Sequence, residues 1–183
     1  MLWLVTLMIC CFIKVGSERK GSAIYYSVTY REWSETKQKE VRTLEQVSVP
    51  QSELFLRKLV DATLIHSRLW GHISNERTEE GTHSIYAAEF ADQVEEPYRS
   101  AITKAVFALN RTSSLYSGEY WIWDGQQFME QEGQAASSLM VLEWAQRLLD
   151  HYVVEQETTY EVLYSVLDEE RKKLLFFLKE VDL

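Results

Sequence analysis

Residues 119–131 read EYWIWDGQQFMEQ, and the Asp124-Gly125 pair at their centre constrains the fold more than any other short stretch. Asp-Gly between two apolar-bearing runs is a strong hairpin signal, because the turn needs positive φ and glycine supplies it at no steric cost. In the first run Tyr120 and Ile122 alternate with Trp121 and Trp123, so the strand carries aromatic side chains on both faces. One face is expected to pack beneath helices. The other, with Trp121 and Trp123, is expected to form an aromatic patch open to solvent or to a partner.

The remaining strand signals lie early in the chain. Ala23 to Trp33 (AIYYSVTYREW) is aromatic and β-branched, and Val41 to Val49 alternates until Pro50 closes it. Glu53 to Leu64 fits either one helix face or two short strands turning near Asp61. Helical spacing then dominates. Glu76 to Asn110 carries a stripe at Ile85, Ala88, Phe90, Ala91 and Val94, then Tyr98, Ile102, Ala105, Val106 and Leu109, and Pro97 should kink or break it. Ala135 to Glu155 aligns Leu139, Leu142, Ala145, Leu148, Leu149 and Tyr152. Thr158 to Val181 aligns Val162, Leu163, Val166, Leu167, Leu174, Phe177 and Leu178. Strands and helices segregated in this way predict an α+β fold, an antiparallel sheet with two broken helices lying on one face.

Charge and motifs narrow the chemistry. A net charge of −9 disfavours binding to a phosphate backbone, which wants clustered Lys and Arg. His66, His72, His83 and His151 show no metal-ligand spacing, and no glycine-rich phosphate loop or nucleophile-elbow pattern occurs. The neighbouring carboxylates Glu79-Glu80 and Glu95-Glu96 do not face each other on a helix, which makes them poor acid–base partners. The sequence therefore predicts no catalytic residue, no metal and no cofactor.

The first residues suggest a route. Leu2 to Ile13 is apolar apart from Thr6, too short to span a bilayer, which takes about 20 residues, and of the length of a signal-peptide core. Val15-Gly16-Ser17 supplies small residues, so cleavage is expected after Ser17 and the folded domain over 18–183. Met-Leu-Trp brings no Lys or Arg ahead of the core, and a buried N-terminal strand or an uncleaved anchor is the other reading. Both cysteines, Cys10 and Cys11, lie in this run. Asn110-Arg111-Thr112 is the chain's N-glycosylation sequon. Together these features predict a secreted or endoplasmic-reticulum lumenal product.

The order of landmarks resembles the α1–α2 platform of MHC class I-like proteins. An opening strand carries spaced tyrosines (Ala23 to Val28), Trp70 closes the strand region, Asn110 ends the first helix, and Tyr120 to Met129 repeats the aromatic run with Asp-Gly. Two further helical segments follow. The resemblance covers roughly 22–183 and implies an α1-like half over 18–112 and a shortened α2-like half over 113–183. The stretch between Asn110 and Asp124 is too short for the strand that opens the second half, which leaves the platform one strand short. The family's cysteine pair and its peptide-terminus clamps have no counterpart, and these losses are similar to those of virus-encoded decoys and stress-ligand relatives.

The resemblance implies a secreted, non-enzymatic protein that engages an immune-cell receptor through its helical face without presenting peptide. Glu95, Arg99, Arg147 and Asp150 are its candidate contacts, and β2-microglobulin is a further expected partner beneath the sheet. The alternative is an intracellular acidic inhibitor, an immunity or anti-defence protein acting by protein–protein binding.

Overall fold

A computed structural model describes residues 24–109, 111–131 and 140–182. The chain forms strands β1 (Tyr25–Ser34) and β2 (Lys39–Pro50), helix α1 (Gln51–Leu59), and strands β3 (Ala62–Ile65), β4 (Arg68–Arg77) and β5 (His83–Glu89). Helix α2 (Tyr98–Ala108), strands β6 (Ser117–Trp123) and β7 (Phe128–Glu130), helix α3 (Val141–Arg147) and strands β8 (Tyr152–Glu155), β9 (Thr158–Asp168) and β10 (Lys173–Glu180) complete it. The strands join in one mixed sheet in the order β2-β1-β5-β4-β3-β9-β10-β6-β7, with β8 also on β9. The pairs β1–β5, β3–β9 and β10–β6 are parallel and the others antiparallel.

This arrangement overturns the platform. No pair of broken helices lies on one face of an antiparallel sheet. Three short helices cover both faces of a mixed one, among the described residues. Along β10, Leu175 and Phe177 join a core with Ile102, Ala105 and Val106 of α2, while Leu174, Phe176 and Leu178 join another with Leu56 of α1 and Trp144 of α3. A strand buried on both faces reads as a continuous apolar run, and such a run matches a helical stripe as readily as a strand. That is why 158–181 mimics a helix and folds as the β9–β10 hairpin.

Of the stretch expected to be helical over 76–110, the part after Pro97 is helix α2 as expected, and the part before it fails for local reasons. Between β4 and β5, Gly81 has φ +86°, and the Thr78 N–H donates to the Thr82 carbonyl at 2.9 Å, so the chain reverses where a helix was expected to run. Pro97 breaks the stripe as expected and caps α2, since a ring without an N–H is tolerated at a helix start. Of 135–155, only Val141–Arg147 is α-helical among the described residues, and Tyr152–Glu155 is strand β8. Trp70, expected to close a strand region, sits inside β4 and is 2% exposed.

The expectations for β1, β2 and the Asp-Gly turn hold. Gly125 has φ +102°, and Asp124 Oδ1 accepts the N–H groups of Gln126 and Gln127 at 2.8 Å each, bonds that hold its carboxyl below the usual range. The ambiguous stretch after Pro50 resolves into α1 and then β3.

The first five strands curl. Leu44 and Val47 of β2 share a core with Ile65 of β3 and Trp70 of β4, although β1 and β5 separate β2 from them in the sheet. The result is a half-barrel filled by Val28, Tyr30, Leu54 and Ile85, with α1 over its open side. At the seam to the second half, Asp61 Oδ2 accepts the Ser165 N–H at 2.8 Å and its hydroxyl at 2.7 Å.

Within the half-barrel, His72 Nε2 lies 2.9 Å from Thr63 Oγ1, and its ring sits 5.9 Å from that of Tyr30. Burial pushes the His72 imidazole down to about 4. An unfolded histidine titrates near 6.5, so below that pH the unfolded chain takes a proton that the folded chain refuses. Stability should fall by about 2–3 kcal/mol as pH drops from roughly 6.5 to 4. Denaturant titrations of wild type and His72→Gln check this. The variant should lack that part of the acid limb, and an unchanged limb would show that another group carries it.

Candidate functional site

The β3–β4 turn and the C-terminal half of α2 flank a cleft of about 390 Å³ lined by Leu69, Trp70, Phe90, Ala91 and Phe107, with Ser67, Arg68, Glu89 and Thr103 around them. Its position follows from register. Trp70 pairs with Glu89 in the β4–β5 ladder, which brings Phe90 beside the β3–β4 turn, and α2 then crosses above. The turn residues His66 and Ser67 both have positive φ, 50° and 59°, with no glycine to relieve them. This is the two-residue hairpin conformation usually given to Asn-Gly, and non-glycine residues hold it only where the surroundings fix it.

The floor of the cleft is apolar and its rim carries both signs of charge. Phe90 is buried, whereas Phe107 keeps 45% of its surface exposed. Arg68 and Glu89 are exposed, and neither makes an ion pair among the described residues. A second recess of about 210 Å³ shares Arg68 and Trp70 and adds Arg42, His66 and Leu44. A third, of about 500 Å³, shares Glu89 and runs along Trp33, Lys37, Asp92 and Gln93. The three surround one end of the half-barrel.

Of the hydroxyl–imidazole pair described above, Thr63 is fully buried and His72 is half-buried. No group of three or more His, Cys, Asp or Glu is placed to hold a metal ion among the described residues. No helix among them is long and apolar enough to cross a membrane.

The residues singled out from sequence are scattered. Glu95 and Arg99 lie at the start of α2. Arg99 donates to Glu96 Oε1 at 3.0 Å and to the Ala91 carbonyl at 2.7 Å, which fastens the approach to that helix. Arg147 and Asp150 lie at the end of α3, on the other face of the sheet. Arg147 donates to Tyr120 Oη and stacks over Trp144 at 5.8 Å. The four do not share a surface. Trp121 is buried under α2 at 8% exposure. Trp123 is half-buried, 5.0 Å from both Tyr98 and Phe128. The expected open aromatic patch is thus covered by α2. Asn110, the leader-like run and both cysteines lie outside the described residues.

Phe107 carried a legible signal. It falls off the Ile102–Ala105–Val106–Leu109 stripe, and a large aromatic on the wet side of a helix is a contact candidate. Arg68 and Glu89 carried none, because only the fold brings them to Phe107. No family model matches this chain, and no curated protein or solved structure matches it either.

Proposed function

We propose that the chain is a secreted, non-enzymatic binding protein that engages a cell-surface receptor through the cleft between the β3–β4 turn and α2. The observation that carries this reading is the cleft itself, an apolar floor with an exposed aromatic wall and, on its rim, charges of both signs that make no ion pair among the described residues. Its volume suits one aromatic or large aliphatic anchor from a partner protein. Anchors seated in such pockets supply most of the energy of an interface, and flanking charges set orientation. The leader-like run and the sequon at Asn110 support an encounter outside the cell. The helical-face receptor site goes with the platform and is replaced by this one.

The test is a binding screen of the purified, full-length secreted product against cell-surface receptor ectodomains. For a receptor that binds, Phe107→Glu should weaken affinity by about 100-fold or more and Arg68→Glu by about 10-fold, the effects of spoiling the pocket that seats an anchor and of reversing a rim charge. Leu115→Glu, at a 75% exposed position away from the cleft, is the control and should change little. Binding that ignores Phe107→Glu would place the interface elsewhere, and a blank screen would count against the receptor reading.

A further inference from the structure

The opposite end of the β4–β5 hairpin holds a different constellation. Arg77 pairs with His83 across the ladder, and His83 pairs with Val28 of β1 on its other side. The C-terminal turn of α1 lies above, and Lys58 Nζ comes within 3.3 Å of His83 Nδ1. Asn75, two residues before Arg77 on the same strand face, donates its amide to the Lys58 carbonyl at 3.5 Å. Tyr26 meets the His83 ring edge-on at 5.7 Å.

An ammonium group only donates hydrogen bonds, so His83 must accept at Nδ1 and carry its proton on Nε2. His83 is 6% exposed, and this Nε2 has no hydrogen-bond partner among the described residues. Buried donors rarely go unpaired. Neither Lys58 nor Arg77 has a carboxylate within ion-pair distance among the described residues, although the chain carries 28 acidic side chains against 19 Lys and Arg. Glu76 donates no help. It stands on the other strand face and accepts from Tyr86 Oη at 2.8 Å. Glu80 turns back on its own turn, where backbone N–H and Thr78 hold its carboxyl low. Burial and mutual repulsion accordingly hold both Lys58 and His83 below their ordinary values. A lysine in the last turn of a helix complements the helix dipole, which accounts for Lys58 alone. It leaves Arg77, beside two groups it repels, without a reason.

We propose that Lys58, Arg77 and His83, at the mouth of the half-barrel where α1 ends, form a binding site for a tetrahedral oxyanion, the phosphate or sulfate group of a monoester. The guanidinium offers a planar pair of donors to two oxygens, and Lys58, a mobile point charge against Nδ1 of His83, turns to the anion and couples its charge to the ring. A bound dianion neutralises charges that otherwise repel. The site lies six residues along β5 from Glu89 and is separate from the cleft.

The experiment follows the His83 ring by NMR in the full-length protein, titrated with inorganic phosphate, sulfate or chloride at matched ionic strength. Phosphate or sulfate should shift the ring signals saturably and raise the His83 pKa by about one unit, as an opposite charge within a few ångströms does. Chloride should not. Arg77→Gln, at an exposed position, should raise the His83 pKa in chloride, because a repelling cation is gone, and should abolish the saturable response. Saturation by phosphate alone or sulfate alone supports the site and assigns the ester class. An equal response to chloride, or a response undiminished in Arg77→Gln, overturns the proposal.

Discussion

Arg57→Met should destabilise the fold by about 3–5 kcal/mol, the cost of removing one partner from a buried ionic network. Arg57 is 2% exposed at the end of α1, and all five of its N–H donors are engaged. Nε and Nη2 donate to Glu53 Oε1 at 3.2 and 2.7 Å, Nη2 donates to Glu169 Oε2 at 2.7 Å, and Nη1 reaches Glu169 Oε1 and Tyr30 Oη. Tyr116 donates to Glu53 at 3.0 Å, and Lys172 Nζ stands 3.2 Å from Tyr116 Oη. Two cations thus balance two carboxylates, and they tie α1 to β1, to the entry of β6 and to the β9–β10 turn.

Without Arg57, Glu53 and Glu169 remain together under the helix with no guanidinium. Burial already raises the Glu169 carboxyl, and Arg57 opposes the rise. Removing that opposition raises it further, so the folded variant binds protons that the unfolded chain does not, and its stability climbs as pH falls. The deficit against wild type should therefore shrink between pH 7 and about 5. Adding Glu53→Gln and Glu169→Gln should recover stability to within about 1 kcal/mol, because a neutral network leaves no buried charge unpaired. Urea unfolding at both pH values decides it. A deficit below about 1 kcal/mol in Arg57→Met, or one that ignores pH, would mean that the network is solvated.

This network also shows where sequence reading stops. Glu53 and Arg57 are an (i, i+4) pair within α1, legible once the helix is assigned. Glu169 is 112 residues from Arg57, and Tyr116 is 63 from Glu53, so no local pattern joins them. The same holds for the fold. β1, β2 and the hairpin at Asp124-Gly125 could be read because each has one wetter face or a turn that demands a particular residue. β5, β9 and β10 could not, because burial on both faces removes the alternation by which a strand is recognised. Composition held a correcting signal, since Thr158, Thr159, Tyr160, Val162, Tyr164 and Val166 are β-branched or aromatic where exposed helix positions favour other residues. The cleft was less accessible still. Arg68 and Phe107 belong to elements that only the β4–β5 ladder and the crossing of α2 bring together, and Lys58 meets His83 only because α1 ends above the start of β5.

The second large effect concerns Gly118 and Trp144. Gly118 lies in β6 opposite Leu174 of β10, and its glycine is required by contact, not by φ. A Cβ built there would fall 2.2 Å from Trp144 Cη2 and 2.3 Å from Cζ3. Trp144 is 1% exposed, its ring 5.9 Å from that of Phe176 and capped by Arg147 at 5.8 Å, so it has little room to withdraw. Trp144→Ala should cost about 3–5 kcal/mol, as truncation of a buried tryptophan does. Gly118→Ala should cost about 2–3 kcal/mol by overpacking. In the double variant the added methyl enters the space the indole vacates, so the combined loss should fall short of additivity by about 2 kcal/mol. Strict additivity in denaturant unfolding would show that Trp144 does not occupy the Gly118 notch. A helix of seven residues cannot hold its own shape in water, so α3 depends on this contact. Because α3 and the cleft lie on opposite faces of the sheet, Gly118→Ala should lower stability while receptor affinity, measured where the variant is still folded, stays within about twofold. Loss of affinity in step with stability would instead show that the two faces act as one unit.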